Sequence, residues 1–241
     1  MKTIEAIGLS KRYGARNALD GLTFAASAGE VIGLLGPNGA GKTTTIRLLT
    51  TILEPTSGTF SVAGIPGDQA ARIRHRIGVL PESAGYPGRQ TGGEYLRYAA
   101  RLFGRSRRDA RTVAERLLSD VGLSDRADAR ISSYSRGMRQ RLGIARALIN
   151  EPAVVFLDEP TLGLDPAGQR EILTTISDLA ARGGATVVLS THTLPEVEQV
   201  CSSVVVLDHG KLRTAGATDE VVAGTGSLSA AFLELTEAGH D

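Results

Sequence analysis

Residues 36–43 read GPNGAGKT and match the pattern G-x-x-x-x-G-K-[ST]. In this pattern glycines let backbone N–H groups come close to an anion, and those N–H groups form a concave surface for phosphate oxygens. The candidate phosphate contacts are therefore Gly36, Pro37, Asn38, Gly39, Ala40, Gly41, Lys42, Thr43 and the following Thr44. The alternative is an ordinary glycine-rich turn, so the flanking segments decide between the two interpretations.

Both flanking segments favour phosphate binding. Residues 31–35 are apolar and bounded by glycines, as in a buried strand. Ile46, Leu49 and Leu53 have helical spacing within residues 44–53. A loop between a strand and a helix places the partial positive charge of the helix N-terminus beside the lysine. The sequence therefore predicts a nucleotide-phosphate site.

Three further apolar runs end in polar groups that suit phosphoryl chemistry. Asp158 and Glu159 follow the run 153–157, and Glu82 lies two residues after the run 77–80. The run 185–189 is followed by Ser190, Thr191 and His192. Ligands of open α/β sheets bind at the carboxyl edge of the strands, where these groups should meet the phosphate loop. A carboxylate there can hold Mg²⁺ or act as a base. The alternatives are a solvent-facing acidic loop and a histidine that is simply a polar strand end.

Three other residues, at two places in the chain, are candidates with ordinary alternatives. Tyr13 lies in a polar loop between two predicted strands, where its ring could stack on a purine, although such a tyrosine is more often a surface residue. Ser135 and Gly137 begin a predicted helix, whose N-terminus can bind an anion. A serine at a helix start is also an ordinary cap.

The element pattern predicts an α/β fold with two added parts. Segments 4–9, 19–24 and 58–64 form an antiparallel β flank, and 204–207 and 211–214 are later strands. Residues 85–150 form a helical subdomain, which opens with a capping box at Thr91–Glu94 and places Tyr95, Tyr98, Ala99 and Leu102 on one face. Residues 1–84 and 151–220 form the core, and 221–241 contain a C-terminal helix.

Composition excludes several classes of function. The chain has 27 basic and 26 acidic side chains and a net charge of +1, so nothing draws it as a whole to nucleic acid or anionic lipid. The arginines at 101–111 are interpreted as a solvated face. Cys201 is the only cysteine and is expected to be a buried apolar residue. Without a secretory signal or an apolar run of about 18 residues, we expect a cytoplasmic protein.

Five segments together resemble the ATP-binding cassette (ABC) ATPases: GPNGAGKT at 36–43, YSRGMRQR at 134–141, VVFLDEP at 154–160, GLDP at 163–166 and STH at 190–192. The resemblance covers nearly the whole chain. It implies one nucleotide-binding domain over 1–241, with a P-loop NTPase (RecA-like) core, a mostly parallel sheet, an antiparallel β flank and a helical subdomain.

The resemblance also implies roles for individual residues. Lys42 and the loop amides would hold the β- and γ-phosphates of ATP, and Thr43 would bind Mg²⁺ with support from Asp158. Glu159 would be the base that polarises water, and His192 would contact the γ-phosphate and orient that water. Tyr13 would stack on adenine.

Ser135 and Gly137 match the family segment that completes the ATP site of the opposite subunit. The resemblance therefore implies an ATP-dependent, head-to-tail homodimer, or a heterodimer with a second ABC ATPase domain. Asp165 lies in the segment that crosses between the two sites. The chain departs from the commonest family pattern at Arg136 and Met138. It also has Glu82 in place of a glutamine that contacts the metal and couples to the partner.

The amino-acid sequence as a whole, including FLELT at 232–236, most resembles subunits that drive exporters of drugs, lipids, polysaccharides or ions. The expected partner is an integral membrane subunit on a separate chain, which would hold this protein at the inner face of the cell membrane. The alternative is a soluble ABC ATPase that acts on ribosomes, DNA or an assembly complex. Chain length and the short helical subdomain argue against that alternative, so no nucleic-acid partner is expected. A binding module without turnover is disfavoured because Lys42, Asp158, Glu159 and His192 are all present.

Overall fold

The computed structural model describes residues 1–237, so the end of the predicted C-terminal segment, residues 238–241, lies outside it. Within the described chain the strands are β1 (Lys2–Tyr13), β2 (Arg16–Ser27), β3 (Val31–Leu35), β4 (Ser57–Val62), β5 (Ile65–Pro66), β6 (Ile77–Leu80), β7 (Val154–Asp158), β8 (Thr186–Thr191), β9 (Ser203–Asp208) and β10 (Lys211–Ala217). The helices are α1 (Lys42–Leu49), α2 (Ala70–Arg76), α3 (Gly92–Leu102), α4 (Arg107–Asp120), α5 (Arg136–Ala147), α6 (Pro166–Gly183), α7 (Leu194–Val200), α8 (Thr218–Val222) and α9 (Leu228–Glu237).

Among the described residues, six strands form the central sheet in the order β10-β9-β3-β8-β7-β6. Strands β9, β3, β8, β7 and β6 are parallel, and β10 pairs antiparallel to β9 at one edge. Every residue of β3, β7 and β8 is buried, because both faces of these central strands are covered. The continuous apolar runs in the sequence follow from this burial, and the mostly parallel sheet is confirmed.

The antiparallel flank is a second sheet in the order β2-β1-β4-β5. Its apolar side chains and those of α1 pack on one face of the central sheet, around Phe156, Val188 and Leu34. Helices α3, α4, α5 and α6 cover the other face, around Val155, Leu157 and Leu189. Cys201 belongs to this second core, and burial raises the pKa of its thiol to about 12, as expected for an apolar role.

The helical region contains α3, α4 and α5. The capping box of α3 forms as predicted: the Thr91 hydroxyl accepts the Glu94 N–H, and the Glu94 carboxylate accepts the Thr91 N–H. The buried residues of α3 include Leu96, Ala99 and Ala100, whereas Tyr98 and Leu102 are exposed. The residues predicted to share one face of α3 are therefore divided, with Ala99 in the core and Tyr98 and Leu102 at the surface.

Several elements differ from the sequence-based expectation. Tyr13 is the last residue of β1 and not a loop residue, because β1 and β2 pair up to the Tyr13–Arg16 turn. Helix α1 begins at Lys42 and ends at Leu49, so Leu53 is outside it. Helices α2, α6, α7 and α8 have no predicted counterpart. In the described part of the chain, none of the helices has the length and low polarity that a bilayer crossing needs.

Candidate nucleotide-binding site

The loop between β3 and α1 has a backbone path that only glycine fits at two points. Gly36 has φ 153°, and an added β-carbon would lie 2.3 Å from the carbonyl oxygen of Leu207. Gly41 has φ 110° and caps α1, and its added β-carbon would lie 2.8 Å from the carbonyl oxygen of Ala18. Both contacts are with backbone atoms, which cannot swing away. The glycines therefore let the loop curl tightly in front of the α1 N-terminus.

Lys42 lies inside this curl and is almost fully buried. Its ammonium group donates to the carbonyl oxygens of Gly36 at 2.7 Å and Pro37 at 3.3 Å, and it lies 3.7 Å from Glu159 Oε1. Burial lowers the pKa of Lys42 below its ordinary value of 10.5, while the carboxylates of Glu159 and Asp158 oppose that shift. The two carbonyl oxygens thus fix the Lys42 ammonium group in a position where it can bind a phosphate group.

Asp158 ends β7 behind the loop, with only 4% of its surface exposed. Strands β7 and β8 place it directly beside Ser190, whose hydroxyl donates to Asp158 Oδ1 at 2.5 Å. Thr43 Oγ1 lies 3.5 Å from the same oxygen. The alternative of a solvent-facing acidic loop is therefore wrong for Asp158, which is buried among hydroxyl groups.

Glu159 is held with its backbone at φ 50°, a conformation uncommon for residues with side chains. Its N–H donates to the Ser190 carbonyl and lies 3.1 Å from the Ser190 hydroxyl. Its carboxylate lies between two groups, with Lys42 on one oxygen and His192 Nδ1 at 3.0 Å from the other. Such strain is typical of functional sites, where neighbouring contacts hold the residue in place.

A cavity of about 650 Å³ opens in front of these groups. The predicted residues that line it are Tyr13, Pro37, Asn38, Gly39, Ala40, Gly41, Lys42, Thr43, Thr44, Glu82, Glu159 and His192. Gly36 and Asp158 lie behind the lining, where they contact Lys42 and Thr43 respectively. The structure thus gathers residues from β1 to β8 around one space.

Three lining residues escaped the sequence-based prediction: Arg16, Ala18 and Leu162. Arg16 lies near the phosphate loop, since a β-carbon added to Gly39 would be 3.7 Å from its Nη2. Tyr13 is half exposed at the same mouth, with the Lys11 ammonium 5.5 Å from its ring centroid. Arg16 is exposed and belongs to no motif, so the sequence alone does not identify it. Its place near the phosphate loop follows from the β1–β2 turn in the structure.

Ser135 and Gly137 do not line this cavity. Ser135 caps α5 by accepting the Met138 N–H at 3.1 Å, and its side chain is exposed. An added β-carbon at Gly137 would meet nothing closer than Leu164 Cδ2 at 3.9 Å. Packing within residues 1–237 therefore does not require glycine at that position.

The sequence model of the family described as "ABC transporter" matches residues 19–162, which is more than half of the chain and includes the phosphate loop and Glu159. The chain belongs to the ABC transporter family. It is an ATP-binding domain of that family, and its activity is ATP hydrolysis that powers a membrane transporter.

Curated relatives agree with this assignment. "Nod factor export ATP-binding protein I" of Paraburkholderia xenovorans is 42% identical over 221 residues, which are 91% of this chain and 72% of that protein. "Daunorubicin resistance ATP-binding protein DrrA3" of Streptomyces coeruleorubidus is 43% identical over 234 residues, covering 97% and 73% respectively.

Solved ABC structures have the same fold. One described as the ATP-binding subunit of an ABC transporter superposes with a TM-score of 0.85 at 34% identity, and covers 97% of this chain and 99% of its own. Another, cbiO1 from Clostridium perfringens, described as part of the ABC transporter complex cbiONQ, has a TM-score of 0.84 at 28% identity, with 92% and 91% covered. The α/β P-loop NTPase architecture is therefore confirmed.

Because burial lowers the pKa of Lys42, ATP affinity is expected to depend on pH. Phosphate oxygens favour the ammonium form, so the pKa of Lys42 is higher with ATP bound than without it. ATP affinity is then highest at a pH below the pKa that Lys42 has without ATP. It falls as the pH rises from that value towards the pKa that Lys42 has with ATP bound, by up to about tenfold per pH unit. Titration of a fluorescent ATP analogue from about pH 7.5 to about pH 10 measures this slope.

Lys42→Arg is the control for this dependence, because a guanidinium stays charged throughout that range. Its affinity is expected to be weaker than that of the wild type but independent of pH. Equal pH slopes for the two proteins would exclude Lys42 as the titrating group.

Proposed function

We propose that this chain is the ATP-hydrolysing subunit of an exporter. The observation that carries the catalytic part is the position of the Glu159 carboxylate, between His192 at 3.0 Å and Lys42 at 3.7 Å, on the wall of the cavity behind the phosphate loop. The names of the relatives, which refer to Nod factor export and daunorubicin resistance, support the outward direction.

In this proposal Glu159 is the general base. Its carboxylate faces the space where the γ-phosphate of ATP would lie in front of Lys42, and it accepts the proton of the attacking water. His192 holds one carboxylate oxygen and orients the water. Lys42 and the loop N–H groups neutralise charge on the phosphoryl oxygens, which is the main contribution a protein makes to phosphoryl transfer. Tyr13 and Arg16 hold the rest of the nucleotide at the cavity mouth.

Thr43 and Asp158 are proposed to hold Mg²⁺. Both are oxygen donors of the kind that Mg²⁺ takes, and Thr43 Oγ1 and Asp158 Oδ1 are 3.5 Å apart. Within residues 1–237 there is no cluster of three or more His, Cys, Asp or Glu that could hold a metal alone. The residues therefore fit a cation that takes its other ligands from ATP and water. When bound, Mg²⁺ neutralises phosphate oxygens; Glu82, which lines the same cavity, is a further candidate contact.

Ser135 and Gly137 are proposed to complete the ATP site of a second ABC ATPase domain, in a homodimer or a heterodimer. The α5 N-terminus carries the partial positive charge that suits a phosphate, and its glycine leaves room for one. Because the two residues lie outside this chain's own cavity, they act on a nucleotide held by another copy or by a homologous partner.

The proposed membrane partner docks in a groove of about 560 Å³ between α3 and the α1–α2 side of the core. Its apolar lining includes Ile52, Tyr98, Leu102 and Phe103, and these side chains are exposed in the isolated chain. Exposed apolar patches of this kind mark interaction sites. Such docking would hold the chain at the cytoplasmic face of the membrane.

Leu102→Asp is expected to reduce recovery of the integral membrane subunit about tenfold, which is the effect of an interface residue that contributes moderately to binding. Leu102 is 70% exposed, so the substitution should leave the folded chain intact. The test is affinity purification of the tagged chain from detergent-solubilised cells, with the membrane subunit quantified by mass spectrometry.

Leu233→Asp is the matched control, because Leu233 is also exposed, at 54%, but lies on α9 and does not line the groove. It should recover the membrane subunit at the wild-type level. Failure of the wild type itself to recover any integral membrane protein would refute the proposed partner. Equal recovery by the two variants would refute the groove as its docking site.

A further inference from the structure

Glu196 is a buried acidic side chain directly behind the catalytic edge. It lies on α7, with 4% of its surface exposed. Its Oε2 accepts hydrogen bonds from two threonine hydroxyls, those of Thr161 and Thr191, each at 2.9 Å. Its Oε1 is buried with no hydrogen-bond partner among the described residues. One carboxylate oxygen is thus shared by two donors, and the other has none.

The two threonines belong to the two segments that carry the proposed catalytic residues. Thr161 follows Glu159 by two residues, and Thr191 directly precedes His192. Thr161 and Thr191 are both fully buried, so water does not compete for their hydroxyls. Glu196 therefore connects the end of β7 to the end of β8 from behind, while the contact of Glu159 with His192 connects them in front.

The hydroxyl of Thr191 has a defined orientation. It accepts the Thr193 N–H at 3.0 Å and donates to Glu196. Thr193 lies on the other side of His192, so the loop that carries the histidine is fixed at both ends through one hydroxyl. That hydroxyl is in turn fixed by Glu196.

Packing alone does not account for a glutamate at this position. A buried carboxylate with an unpartnered oxygen is costly, and an apolar side chain of similar size would generally be more stable there. The adjacent Val197 is such a buried apolar residue on the same helix. In addition to filling space, Glu196 supplies a hydrogen-bond acceptor that the hydroxyls of Thr161 and Thr191 share.

We propose that Glu196 is a positioning residue for ATP hydrolysis, which sets the distance between Glu159 and His192 through Thr161 and Thr191. This inference rests on the catalytic roles proposed above for Glu159 and His192. Glu196 does not line the cavity that receives ATP, so its effect falls on turnover and not on ATP binding.

Glu196→Met and Glu196→Gln test the proposal as a pair. Methionine keeps the volume but removes the acceptor, and kcat for ATP hydrolysis is expected to fall about tenfold, within the range up to about 10² that small misplacements cause. The KM for ATP should stay within about twofold of wild type. Glutamine retains a carbonyl acceptor, so it should restore kcat to within about twofold of wild type.

The threonines provide a second test if Glu196→Met fails to fold. Thr191→Val removes the donor and should lower kcat as Glu196→Met does, whereas Thr191→Ser keeps the hydroxyl and should retain kcat. Thr186→Val is the matched control: Thr186 is equally buried on the same strand, but its hydroxyl contacts Ser27 and Thr3 at the other end. It should leave both kcat and KM unchanged.

Two results would overturn the inference: a wild-type kcat for both Glu196→Met and Thr191→Val, or a loss in Thr186→Val equal to that in Thr191→Val. The catalytic proposal is tested separately with Glu159→Gln and His192→Ala. If those variants are inactive while the Glu196 and Thr191 variants are normal, only the positioning role fails. If Glu159→Gln and His192→Ala remain fully active, the proposed catalytic roles fail.

Discussion

Replacing Glu159 with glutamine is expected to lower the rate of ATP hydrolysis by about 10²–10⁴, the usual contribution of a positioned base. The amide keeps the size of the side chain and its contact with His192, but it cannot accept the proton of the attacking water. ATP binding should be retained or strengthened, because the substitution removes a negative charge 3.7 Å from Lys42, near the position of the γ-phosphate. The variant should therefore accumulate with ATP bound.

Phosphate release under single-turnover conditions measures the chemical step, and titration with a fluorescent ATP analogue measures binding. Glu151→Gln is a close control, since Glu151 also has φ 50° but is exposed and pairs with Arg105 and Arg116 away from the cavity. It should hydrolyse ATP at the wild-type rate. A wild-type rate for Glu159→Gln would remove Glu159 from the role of base.

The elements that the sequence predicts best are the buried parallel strands and the polar residues at their carboxyl ends. Strand β3 has the predicted bounds, and β7 differs from the prediction by about one residue at each end. The agreement is close because strands covered on both faces are continuous apolar runs in the sequence. The polar residues after β6, β7 and β8 meet at one cavity because parallel strands share a carboxyl edge. This rule places Glu82, Glu159 and His192 together without any knowledge of strand order.

The missed helix α6 carried local signals. Asp165 caps it by accepting the Gly168 N–H, Pro166 is its first residue, and Gly184 ends it in a left-handed conformation. These are standard start and stop signals, so α6 was predictable. The exposed face of α3 was not predictable, because helical spacing shows that Tyr98 and Leu102 share a face and not what covers that face.

The second layer of the site depends on contacts between distant segments. Ser190 contacts Asp158 only because β7 and β8 are neighbours in register, which no local pattern specifies. Glu196 is a glutamate in a short helix, and composition alone would place it in solvent. The exposed Arg16 likewise reaches the phosphate loop only through the β1–β2 turn. Motifs thus predict the groups that contact ATP, whereas the residues that hold those groups emerge from topology.

A composite ATP site predicts that two inactive variants can restore each other. Lys42→Ala disables the phosphate loop, and Gly137→Arg blocks the α5 N-terminus. Each alone should reduce hydrolysis by about 10² or more, since both sites of a symmetric dimer are damaged. In a mixed dimer one site combines both defects, while the other has an intact phosphate loop and an intact α5 N-terminus.

Mixing equal amounts of the two variants is therefore expected to recover about a quarter of the wild-type rate, because half of the dimers are mixed and each has one intact site of two. A mixture of Lys42→Ala with Glu159→Gln is the control. Both defects then lie on the phosphate-loop side, every mixed dimer lacks an intact site, and no recovery should follow. Equal activity of the two mixtures would contradict a site shared between copies of this chain. Recovery in the first mixture alone requires Gly137 of one copy to face the nucleotide bound at Lys42 of the other.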